Sequence, residues 1–163
     1  MIYRGAGIML GVRKFVRVWG VVALFAFAVT VLARGTPGKE PSVEELKARL
    51  ASTSVGDRPH LCVQIAQRQL AEADRLYAAV EVEKGQATLA DVVAYSELAR
   101  DYAIQSHKHQ KDTEIAARTM TRKLTDLLHT LGQDEQAPVQ DAITHLQKVR
   151  DDLLKAMFPK GAK

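Results

Sequence analysis

The chain has 163 residues, with 23 Lys and Arg against 19 Asp and Glu, a formal net charge of +4. Arg4, Arg13, Lys14 and Arg17 hold that excess, and residues 34–163 carry nineteen charges of each sign. Sequence-independent nucleic-acid binding needs a surplus of cations facing phosphates, so the neutral remainder excludes that class. It also excludes a disulfide framework, because there is a single cysteine.

Residues 18–33 are sixteen uncharged residues between Arg17 and Arg34. A basic flank, an apolar core and the small-residue ending Val31-Leu32-Ala33 are the parts of a secretory signal peptide, with the cut expected after Ala33. The alternative is an uncleaved anchor at residues 18–33, although a spanning helix needs ~20 apolar residues. A lipid anchor has no thiol to use, since Cys62 is distant. Met9 is an alternative start. The expected location is periplasmic or secreted, with membrane attachment only if the leader is retained.

Residues 34–58 read as a linker carrying a short helix over 42–51. Gly35, Pro37, Gly38 and Pro41 break structure before it, and Ser42-Val-Glu-Glu45 is a capping box that starts it. Ten residues do not hold a helix in water alone, so this one must dock or fray.

The helical domain is expected over 59–158, followed by a tail over 159–163. Asp57-Arg-Pro59 opens the first long helix, with Pro59 in the first turn, where its missing N–H costs nothing. Cys62, Ile65, Ala66, Ala73, Leu76, Tyr77 and Val80 make its apolar face, Gln69 interrupts that face, and Gly85 ends the helix. Cys62 is expected to be a small buried hydrophobe.

Thr88-Leu-Ala-Asp91 resembles a second capping box. Beyond it, alternating steps of four and three select Val92, Ser96, Ala99, Ala103, Ser106, Gln110, Thr113, Ala117, Met120, Leu124, Leu127 and Leu131, none of them charged. That register predicts one continuous helix from 88 to 131. The competing reading is a kink or break within the polar run Ser106–Glu114, with Asp112 capping a fresh helix.

Gly132 to Pro138 is a turn, with Pro138 opening the last helix. Val139, Ala142, Ile143, Leu146, Val149, Leu153 and Met157 form its stripe. No period-two segment is long enough for a strand. The expected fold is all-α: an antiparallel bundle on one long central helix, with two flanking helices and a short N-terminal one.

His107-Lys-His109 is the most suggestive cluster. Residues two apart on a helix point about 200° from each other, so they share a metal only if the helix breaks. Counting from the turn near Gly85 puts His60 level with Asp112. His60, His107 and His109 are therefore the candidate ligands for Zn or Cu, beside the plainer reading of an exposed polar patch. Asp126-x-x-His129 and Asp141-x-x-x-His145 echo helix-borne metal pairs. They do not converge, His145 falling nearer Lys123, and read as solvated pairs.

No nucleophile with a base, phosphate loop, Cys-x-x-Cys or His-Glu-x-x-His occurs. The Leu61–Tyr102 hairpin lacks the residues of a tetratricopeptide repeat around Tyr95 and Tyr102. Thr113-Glu-Ile-Ala-Ala-Arg through Pro138-Val to Leu153-Leu-Lys-Ala-Met-Phe158 resembles uncharacterised exported all-helical proteins of bacteria. The resemblance implies a helical fold and an envelope setting, and no activity. The expected function is that of an exported, non-enzymatic interaction or scaffold module without cofactor, whose partner is a protein or a second copy. The alternative is a metal-binding envelope protein using His60, His107 and His109.

Overall fold

The computed structural model describes residues 40–159. The leader over 1–33, the linker up to residue 39 and residues 160–163 lie outside the described residues. Five helices follow one another, α1 (Val43–Ser52), α2 (Arg58–Ala78), α3 (Val82–Ser106), α4 (Gln110–Leu128) and α5 (Gln133–Met157), with no strand among the described residues.

The capping box of α1 forms as its residue types require. The Glu45 N–H donates to Ser42 Oγ at 3.2 Å, and the Ser42 N–H donates to Glu45 Oε2 at 2.8 Å. A helix this short needs tertiary support, and Leu46 supplies it, fully buried where α1 packs on α2.

Three boundaries differ from those read in the sequence. Gly85 does not end α2; it lies inside α3, which begins at Val82, before the Thr88 capping box proposed as its start. Thr88 instead donates its hydroxyl to the Lys84 carbonyl within the helix. The turn comes at residues 79–81, where the Val80 N–H bonds the Tyr77 carbonyl and the Glu81 N–H bonds the Leu76 carbonyl. This is the Schellman pattern, and its left-handed position, normally glycine, is occupied by Val80 at φ 61°. Gly85 serves packing: a Cβ there would lie 2.9 Å from the Tyr77 ring.

The expected continuous helix over 88–131 is two helices. It breaks at His107 and His109, both left-handed, at φ 55° and 57°. Histidine tolerates this conformation better than bulky residues do, and two left-handed residues flanking Lys108 cannot continue an α-helix. His109, rather than Asp112, stands at the N-cap of α4. Nine of the twelve uncharged register positions are nevertheless buried, and Ser106, Gln110 and Leu131 are half-buried. The period therefore identified the inward faces of α3 and α4, which are shared whether or not the chain is continuous.

The last helix begins at Gln133, five residues ahead of Pro138. Proline there removes one hydrogen bond to the carbonyl four residues earlier. Asp134 and Glu135 in the first turn favour the start at Gln133 through the helix dipole.

Contacts between helices fix their neighbours. Gln69 of α2 reaches Asp91 of α3 at 2.7 Å, and Tyr77 lies on Gly85. Between α4 and α5, Arg150 donates to the largely buried Glu114 at 2.9 Å. Between α3 and α5, His145 meets Glu97 at 3.0 Å and Arg100 meets Asp152 at 3.3 Å. The main core joins Leu70, Ala73 and Tyr77 with Leu89, Val92, Met120, Leu124, Val139 and Leu146. A smaller cluster of Ala103, Ala117, Val149 and Leu153 lies nearer the α3–α4 break. The apolar stripe read for α5 is buried from Val139 to Leu153.

Candidate functional site

The break between α3 and α4 makes a corner. Ser106 closes α3 by donating its hydroxyl to the Tyr102 carbonyl at 2.6 Å while accepting the Lys108 N–H at 3.3 Å. The His109 carbonyl then accepts both the N–H and the hydroxyl of Thr113, at 2.9 and 2.8 Å, and so opens α4. At the start of α2, Arg58 donates to the Thr53 carbonyl at 3.0 Å and stacks 5.2 Å from the Tyr102 ring centre. That contact holds the α1–α2 loop against the end of α3.

Of the three candidate histidines, two are brought together. The His60 and His109 rings lie 6.1 Å apart, centroid to centroid, with planes 34° apart. They share an open depression of about 480 Å³ with Arg49, Ser52, Thr53, Asp57 and Leu61. His107 is exposed and does not line it. His109 Nδ1 sits 3.4 Å from Asp112 Oδ2, and His60 Nε2 sits 2.8 Å from Gln64 Nε2. Among the described residues, no group of three or more His, Cys, Asp and Glu is placed to hold a metal ion. Arg49 and Asp57 were not among the candidate site residues read from the sequence. Nothing in the spacing places α1 or its loop against the α4 start.

The acid–histidine pairs on α4 and α5 stay apart. His129 is exposed at the C-terminus of α4, and His145 bonds Glu97 of α3.

A second concavity runs between α2 and α4. One depression of about 400 Å³ is lined by Leu70, Ala71, Asp74, Lys123, Asp126, Leu127 and Thr130. An adjoining one of about 220 Å³ is lined by Gln67, Leu70, Thr119, Met120 and Lys123. Shared Leu70 and Lys123 make them one groove, with an apolar floor and a rim of mixed charge. Leu70 was missed in the sequence because Gln69 interrupts the face, although Leu70 follows Ala66 by four residues.

Two buried groups complete the inventory. Cys62 is a free, fully buried thiol pushed up to about 11 by burial, which keeps it protonated and unreactive at neutral pH. The Tyr77 hydroxyl is buried without a hydrogen-bond partner, and burial followed by the Glu135 charge raises its pKa. Among the described residues, no helix is long and apolar enough to cross a membrane.

No family model, curated protein or solved structure matches this chain.

Proposed function

We propose that this protein is an exported, non-enzymatic helical module of the cell envelope that binds a partner protein along the α2–α4 groove. The export half of the proposal rests on the basic-flanked apolar segment over 18–33. The interaction half rests on the groove itself, an apolar floor of Leu70, Met120 and Leu127 between two helices that leave it open.

We infer an antiparallel arrangement behind it. The hairpins α2–α3 and α4–α5 are joined across one end by the His107–His109 corner, so α2 and α4 start at the same end. Contacts 69–91 and 77–85 run in opposite order along α2 and α3, while 97–145 and 100–152 ascend together along α3 and α5. The α2–α4 seam is the open side of that bundle.

Grooves of this kind take an amphipathic helix whose apolar stripe recurs at three- and four-residue steps. Asp74 and Asp126 on the rim favour basic residues flanking that stripe. A photo-crosslinking amino acid at exposed Ala71 is expected to capture one consistent partner in the envelope, and the same residue at Lys148 on α5 is not. Reversing Asp74 and Asp126 to Lys is expected to abolish the adduct while the protein stays folded. Equal capture from both positions, or an adduct indifferent to the reversal, contradicts the groove as the binding surface.

A further inference from the structure

We propose that His60 and His109 form a two-histidine site for a transition-metal cation of the Cu²⁺ or Zn²⁺ type, with water completing the coordination and His107 taking no part. The geometry suits one shared ion. Metal–nitrogen distances of ~2.0–2.1 Å put each ring centroid about 3.2 Å from the ion, so two imidazoles on one ion have centroids from about 4.5 Å apart at a 90° N–metal–N angle to about 6.4 Å at 180°. The observed separation is 6.1 Å.

The hydrogen bonds assign the donor atoms. His109 Nδ1–H donates to the Asp112 carboxylate, which leaves the Nε2 lone pair for the metal. The Gln64 side-chain amide donates to His60 Nε2, which puts the ring proton on Nδ1, so the metal takes the Nε2 lone pair by displacing Gln64. The carboxylate behind a ligating imidazole is a recurrent outer-shell feature of metal sites, and here it comes from the same first turn of α4.

The backbone sets the position of His109, which is left-handed like His107. It makes the corner that brings the imidazole of α4 to His60 at the start of α2. The depression is open, with room for the water ligands that a two-residue site needs. Arg49 on its rim is a cation that ligates nothing, so it weakens binding modestly rather than contributing to it.

Copper titration of the purified full chain, followed by electron paramagnetic resonance, tests the proposal. The expected result is one saturable Cu²⁺ per chain with two imidazole nitrogens. Zn²⁺ should compete more weakly and Mg²⁺ not at all, following ligand softness and the order of divalent affinities. His60→Ala is on the surface and leaves folding intact; it should lower affinity at least tenfold and remove one nitrogen. His109→Asn keeps a residue tolerant of the left-handed corner and should do the same. Asp112→Ala should weaken binding about tenfold, and His107→Ala should change it less than twofold. Absence of saturable binding, indifference to His60→Ala, or a loss on His107→Ala or Arg49→Ala as large as on His109→Asn would overturn the assignment.

Discussion

Val80 carries a local cost that its surroundings do not offset. It is β-branched, left-handed and 79% exposed, so its side chain gains little packing in return. Glycine is the residue the Schellman turn accepts without steric cost. Val80→Gly is expected to raise unfolding free energy by about 1 kcal/mol, the scale of the left-handed penalty, as read by urea denaturation. Tyr77 is the opposite case. Its hydroxyl has no partner to lose, so Tyr77→Phe is expected to be neutral or mildly stabilising in the same assay. Cys62 gives a pH signature. Its folded pKa of about 11 lies above the ordinary thiol value of 9.0. Its contribution is therefore fully present below pH 9 and is lost as pH rises from 9 through 11. At about 1.4 kcal/mol per unit, roughly 2 to 3 kcal/mol disappears across that window. Wild type should lose that much more stability than Cys62→Ala between pH 8 and 11, and parallel curves would contradict the buried thiol.

Helix boundaries show what local signals could and could not convey. The α1 capping box, the start of α2 at Arg58 and the buried stripe of α5 were legible, because each depends on residues a few positions apart. Gly85 and Pro138 were misread as punctuation. Glycine has two uses, a left-handed cap or a close approach, and only the Tyr77 ring over Gly85 decides between them. Proline is free of cost only in a helix's first turn, but α5 carries Pro138 as its sixth residue at the loss of one hydrogen bond, so Pro138 does not mark the start. At the α3–α4 corner the inward face was legible and the break was not preferred, since the period of uncharged residues is blind to two left-handed histidines. Docking of α1 rests chiefly on buried Leu46, with Lys47 adding contacts to Asp91 and Tyr95. Leu46→Ala is expected to cost about 2 to 5 kcal/mol, the usual range for a buried leucine, with amide exchange across residues 43–52 rising first. A loss near zero would mean that α1 does not dock through Leu46.

At the scale of the whole molecule, the His pair and the α2–α4 groove have a common origin. Both lie between α2 and α4, whose first residues the His107–His109 break brings together, with the His60 and His109 rings 6.1 Å apart. Hairpin counting along a continuous helix also placed His60 near Asp112, but for a different reason, and it could not foresee that α2 and α4 would line a groove. The distance between α3 and α4 is thus the quantity on which both functional proposals depend. Nitroxide labels at exposed positions 90 and 126, in a Cys62→Ala background, report it by double electron–electron resonance. Neighbouring helices pack 8–10 Å apart, so with the corner in place the labels should lie within about 30 Å. A helix continuous from 88 to 131 would hold them about 54 Å apart, and a distance distribution centred there would contradict the corner, the groove and the histidine pair together.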